Sequence, residues 1–93
     1  MPAYLYILRL KSGNLYLGTT LNLNQRIQEH FEGRACRTTS LDPPLKLVHS
    51  EPFATFKDAR KREDQLKRWT RAKKEALLSG DMVALKKMAK SRE

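Results

Sequence analysis

A chain of 93 residues has room for one small hydrophobic core, so fold and function must share a single surface. Nineteen Lys and Arg against ten Asp and Glu give a formal charge of +9, which points to a polyanionic partner held through phosphate contacts and counterion release. The single cysteine, Cys36, excludes an internal disulfide or a multi-cysteine zinc centre, and no stretch approaches the roughly 20 apolar residues of a membrane span.

A cytoplasmic setting is expected: the apolar run after Met1 is short, broken by Arg9, and lacks the positively charged start of a signal peptide. The charge is uneven, with residues 57–74 carrying +6 of the +9. These basic segments lack a wide, strongly apolar face, which favours nucleic acid over a membrane surface.

From Ala3 to Leu10 apolar residues occupy both parities of a strand, which predicts burial on both faces and a central place in a small sheet. Lys11 to Asn14 supplies turn chemistry before a second strand. A two-residue turn at Ser12 and Gly13 would put Tyr6 and Tyr16 on opposite faces, whereas a three-residue loop, Ser12 to Asn14, places them on one face. In that second register Tyr6 faces Thr20, Tyr16 faces Leu10, and the phenols stand roughly 13 Å apart along the ladder. Gly18 then either leaves a gap that a phosphate can fill or marks a bulge between two packing residues.

Asn22 is an N-cap for a helix of about ten residues with Leu23, Ile27 and Phe31 as its apolar row and Gly33 as its stop. Arg26 and His30 form an adjacent row, one turn apart, able to reach over the sheet edge toward the tyrosines. Residues 33–44 show no period and read as a loop, in which Arg34, Arg37 and the hydroxyls of Thr38, Thr39 and Ser40 are available to a nucleic-acid backbone. Leu45 to Ser50 is the third strand, ended by Pro52, with His49 as a strand residue.

Thr55 and Asp58 open a long helix running to Trp69. Phe56, Ala59, Leu66 and Thr70 share one side of it, and Glu63 falls inside that stripe. A carboxylate there needs a cation, hydrogen bonds or a wet cleft, so either a metal ion or a salt bridge to Arg26 or another arginine is expected. A short helix from Arg71 to Ser79 and a last one from Met82 to about Lys90, capped by Asp81, complete the chain. The expected architecture is α/β in the α+β sense, a three-stranded antiparallel sheet flanked by helices in the order β-β-α-β-α-α-α, with residues 1–80 as the domain and 81–93 as a helix and frayed tail packed on it.

Tyr4, Leu5 and Tyr6, then Tyr16, Leu17 and Gly18, followed by Arg26, His30 and Glu63, resemble the two motifs and the later residues of the GIY-YIG nuclease superfamily. With the segment KRWTRAKKEALL, Lys67 to Leu78, the chain is similar to the small stand-alone bacterial members of that superfamily over roughly residues 2–80. The resemblance implies a phosphodiesterase site on one face of the sheet. Glu63 would hold one Mg²⁺ (or Mn²⁺), Arg26 the scissile phosphate, Tyr16 or Tyr6 the attacking water, and His30 the proton of the tyrosine. Two departures stand out: Tyr4 replaces the first-motif glycine, and Thr19 stands where several nucleases of the superfamily have a lysine.

The expected function is a structure-specific DNA endonuclease acting on branched or damaged DNA, with a protein partner as a candidate source of specificity. Arg60, Lys61, Lys67, Arg68, Lys73 and Lys74 are its candidate nucleic-acid contacts. The alternatives are a non-catalytic basic binding module or an RNA-associated domain using the same charge.

Overall fold

The computed structural model describes residues 2–79, which form a three-stranded antiparallel sheet with helices on both faces. The elements are β1 (Ala3–Leu10), β2 (Leu15–Thr20), α1 (Leu23–Phe31), α2 (Arg37–Leu41), β3 (Pro44–Phe53), α3 (Phe56–Lys67) and α4 (Arg71–Ser79). The strand order β2-β1-β3 puts β1 in the centre, which explains why its side chains are apolar on both parities. Leu5 and Ile7 pack on one face with Leu17 of β2 and Leu66 of α3, backed by Trp69, Leu77 and Leu78. Tyr6, Leu8 and Leu10 pack on the other with Tyr16 and with Leu23 and Ile27 of α1.

The β1–β2 register differs from the expected one by two residues. Tyr6 pairs with Gly18 and Leu8 with Tyr16, because the loop is Lys11 to Gly13 rather than Ser12 to Asn14. Gly13 takes φ +96°, a conformation that favours glycine, and its N–H donates to the Leu10 carbonyl. A shift of two preserves parity, so both tyrosines still project from one face.

The helix caps follow the sequence. Asn22 Oδ1 accepts from the Gln25 N–H at 3.1 Å and Thr55 Oγ1 from the Asp58 N–H at 3.1 Å. Gly33 ends the first helix with φ +75°. Phe31, however, is half-exposed rather than part of the packed row.

Two further expectations are corrected. Residues 37–41, read as loop, form α2, whose preceding residue Cys36 makes no side-chain capping bond. The third strand runs on to Phe53 through Pro52, which pairs with Tyr4. Proline is tolerated there because, among the described residues, β3 is an edge strand paired only with β1, so its missing N–H faces away from the ladder. The expected helix over 82–90 and the tail to residue 93 lie outside the described residues.

Candidate active site

The Tyr6–Gly18 pairing sets the geometry of the site. A Cβ placed on Gly18 would stand 2.5 Å from Tyr6 Oη and 2.6 Å from Cζ, so the phenol ring lies directly over the glycine. The gap expected at Gly18 is therefore filled by Tyr6 itself, and no bulge interrupts the β1–β2 ladder there. With Tyr16 two residues along β2, the ring centroids are 6.4 Å apart, half the expected separation.

His30 of α1 closes against both rings, 5.4 Å from that of Tyr6 and 5.0 Å from that of Tyr16. Its Nε2 lies 2.7 Å from Tyr6 Oη and its Nδ1 lies 2.8 Å from Thr39 Oγ1. Thr39 Oγ1 in turn lies 3.4 Å from Cys36 Sγ, and the Cys36 thiol donates to Tyr16 Oη at 3.5 Å. Tyr6 is 2% exposed, and His30 and Thr39 are 1% exposed. Burial, opposed only by Arg26, raises the Tyr6 phenol far above its ordinary value, with Tyr16, Cys36 and Glu63 adding to it. Burial likewise pushes Tyr16 up to about 12, with Cys36 and Glu63 contributing. Burial and then the Arg26 guanidinium hold His30 below its usual value, so its imidazole is neutral at pH 7.

Glu63 arrives from the other side of the sheet. Leu15, Leu17 and Thr19 face α3, while Tyr16 and Gly18 face α1, yet all five line one cleft of about 440 Å³ together with Tyr6, Arg26, His30, Glu63, Lys67 and Lys74. The cleft therefore straddles the free edge of β2 rather than lying on one face of the sheet. Tyr6 from β1, Tyr16 from β2, Arg26 and His30 from α1, and Glu63 from α3 all meet in it.

Glu63 is 8% exposed and forms an ion pair with Lys67 at 2.6 Å, one turn on in α3. The salt bridge weighed for it is thus to a lysine rather than to an arginine. Arg26 is loosely held, its guanidinium 3.5 Å from Glu29. Among the described residues no group of three or more His, Cys, Asp or Glu could hold a metal unaided. One buried carboxylate opening on a polar cleft nevertheless suits Mg²⁺, which takes one or two protein carboxylates and completes its shell with water and substrate phosphate.

Of the expected nucleic-acid contacts, Arg60, Lys61, Lys67 and Arg68 are exposed, and Lys74 is half-buried in the cleft wall. Lys73 differs: it is 8% exposed, with its ammonium 4.3 Å from the centroid of the Trp69 ring. Thr39, weighed as a backbone contact in a loop, is buried against His30, and Cys36, for which no role was expected, touches Tyr16.

A small α+β domain with paired tyrosines, a buried histidine, an arginine and a glutamate converging at one sheet edge is the structural class that the motifs implied. The chain belongs to the GIY-YIG catalytic domain family, which matches residues 2–76. It is 38% identical over 76 residues to a UPF0213 protein of Staphylococcus saprophyticus, covering 82% of this chain and 93% of that one. It is 37% identical over 78 residues to a UPF0213 protein of Natronomonas pharaonis, covering 84% and 92%. The solution NMR structure of a UPF0213 protein from Bacillus halodurans is similar at 35% identity with a TM-score of 0.56, covering 85% of this chain and 84% of that one.

Among the described residues no helix is long and apolar enough to cross a membrane.

Proposed function

We propose that the protein is a Mg²⁺-dependent endonuclease that hydrolyses a phosphodiester of DNA, of branched or damaged DNA in particular, in the cytoplasm. The observation that carries this reading is the convergence of Tyr6, Tyr16, Arg26, His30 and Glu63 from four elements on one basic-walled cleft. Membership of a family of nuclease domains supports it.

Arg26 is the fork for the scissile phosphate, half-exposed and held only by Glu29, and it offsets the charge that develops on the phosphoryl oxygens. Lys74, with Lys67 once the substrate is in place, adds positive charge along the cleft wall and replaces the cation absent at Thr19. Tyr6 takes a proton from the attacking water while passing its own to His30 Nε2, 2.7 Å away. This concerted exchange avoids a free phenolate, which the burial of Tyr6 strongly disfavours. A P–O bond to the water oxygen forms as the bond to the leaving sugar oxygen breaks. Glu63 would hold the divalent ion, which supplies a Lewis acid for that leaving oxygen. Tyr16 orients the water beside Tyr6.

The test is cleavage of branched, flapped and single-stranded DNA with Mg²⁺ or Mn²⁺ and with chelator. Metal-dependent scission that is lost in Tyr6→Phe supports the reading; scission that survives chelation or Tyr6→Phe refutes the mechanism. One observation favours a second reading, a non-catalytic nucleic-acid-binding module: Glu63 pairs with Lys67, so its charge has a cationic partner within the protein. Normal DNA or RNA binding with no cleavage across the panel would favour that module.

A further inference from the structure

The sequence and the family motifs leave α2 without a role, yet its Thr39 sits at the middle of the polar chain that joins the two tyrosines. We propose that Thr39 is a positioning residue of this site, its hydroxyl fixing His30 in the tautomer that carries the proton on Nδ1 and turns the Nε2 lone pair toward Tyr6. The inference rests on the hydrolytic reading for its catalytic consequence, though not for the tautomer itself.

The hydrogen-bond inventory selects that tautomer. A neutral imidazole has one donor and one acceptor nitrogen. Tyr6 Oη is buried, and His30 Nε2 is its hydrogen-bond partner among the described residues. If Nε2 carried the proton, it would donate to the phenol oxygen and leave the phenol O–H without an acceptor among the described residues. A phenol is also the more acidic donor and an imidazole nitrogen the better acceptor, so Tyr6 donates to Nε2. The proton of His30 then lies on Nδ1 and needs an acceptor, which is Thr39 Oγ1 at 2.8 Å. That leaves the Thr39 O–H free to donate to Cys36 Sγ at 3.4 Å, and the Cys36 S–H to Tyr16 Oη at 3.5 Å. Every member of the run Tyr6, His30, Thr39, Cys36, Tyr16 thus has a consistent donor assignment, with Thr39 as its hinge.

The geometry is also held from outside. The residue after α2, Asp42, accepts from the Ser12 N–H at 3.0 Å and from its hydroxyl at 2.5 Å, and the Lys11 N–H donates to the Pro43 carbonyl at 2.8 Å. The β1–β2 turn therefore fixes α2, and α2 fixes the imidazole. A threonine serves where a carboxylate often does. It orients the ring without supplying a charge that would raise the imidazole pKa and protonate the nitrogen meant to accept from Tyr6. The titratable groups around His30 are Tyr6, Tyr16, Arg26, Glu29 and Cys36, and Arg26 acts in the same direction as burial.

Imidazole ¹⁵N chemical shifts at pH 7.5 read the tautomer directly, in the parent protein and in Thr39→Val and Thr39→Ser. The parent and Thr39→Ser should show His30 protonated on Nδ1; Thr39→Val keeps the shape, removes the acceptor, and should shift the population toward Nε2–H. A parent already protonated on Nε2, or a Thr39→Val that keeps the parent tautomer, overturns the proposal. On the most readily cut substrate, Thr39→Val should lower kcat by about 100-fold, the lower end of what general acid–base catalysis contributes, with KM little changed and Thr39→Ser restoring it. A Thr39→Val with an altered tautomer and parental kcat refutes the catalytic consequence. If the parent cleaves nothing, the nuclease reading fails while the shifts still decide the role of Thr39.

Discussion

Replacing Glu63 with Gln removes one charge at nearly constant volume, and the structure sets what each role for that charge predicts. As half of an ion pair with Lys67, Glu63 contributes little: the lysine side chain is 55% exposed, and a pair with one end in water is worth about 0.3–1 kcal/mol. For a domain of this size that corresponds to a melting temperature lower by at most about 8 °C. A protein stable by about 5 kcal/mol that loses 1 kcal/mol remains more than about 99% folded at 25 °C, so a purely structural role predicts unchanged cleavage. As a metal ligand, Glu63 supports stabilisation of several kcal/mol at the leaving oxygen. At 1.36 kcal/mol per tenfold, its loss removes at least about two powers of ten in rate. DNA affinity should hold or rise, because a negative charge leaves the cleft. Cleavage at saturating Mg²⁺, a thermal melt and fluorescence anisotropy on one preparation separate the cases. A Glu63→Gln variant that cuts within twofold of the parent refutes the metal assignment.

Gly18→Ala should destabilise the protein by about 1–3 kcal/mol and lower its melting temperature, because the new Cβ would meet Tyr6 Oη at 2.5 Å and the ring carbon Cζ at 2.6 Å; an unchanged melt would refute that packing. Duplex affinity, carried by about four unengaged cations among Arg60, Lys61, Arg68 and Lys74, should fall about 100-fold between 50 and 200 mM salt by anisotropy. An affinity nearly independent of salt would remove nucleic acid as the main partner. His30 is held below its usual pKa, so the unfolded chain takes up that proton first as the pH drops; stability is full above about pH 6.5 and is lost as pH falls through that value toward the folded pKa. Melts from pH 8 to 5.5 should show the decline, and a flat profile would contradict the neutral buried imidazole. Tyr16→Phe should keep DNA binding and lose cleavage, and full cleavage by that variant would remove Tyr16 from the mechanism.

How much of this was legible depended on how many residues carried each signal. The central position of β1 was written in eight residues with both parities apolar, and Asn22 and Thr55 announced their helices through side chains that cap them. The β1–β2 register rested on one turn, where shifting the loop by one position moves the pairing by two residues; parity survives that error and spacing does not. This is why the shared tyrosine face could be read while the seating of Tyr6 on Gly18 could not. Helix α2 spans five residues, too few for a period, and Cys36 at its start offers no capping bond. Its buried Thr39 was invisible for the same reason. Glu63 was legible because a carboxylate inside an apolar stripe is an inconsistency that the fold must resolve.

The resolution that the fold adopts has a consequence for the sheet. The tyrosines lie on one face of the sheet and α3 covers the other, so Glu63 can join them only around an edge, and the order β2-β1-β3 supplies one. A strand paired outside β2 would close the cleft. That edge must therefore stay open, and an open edge invites pairing with other chains unless something guards it. Arg26 of α1, Lys67 of α3 and Lys74 of α4 stand along it, and like charges facing a second copy of the same edge oppose such pairing. The cations that would draw a phosphate into the cleft are thus the same ones that keep the strand beside it unpaired. Neutralising Lys67 and Lys74 together should then both weaken DNA binding and promote self-association, two outcomes that a purely ligand-binding role for these lysines would not join.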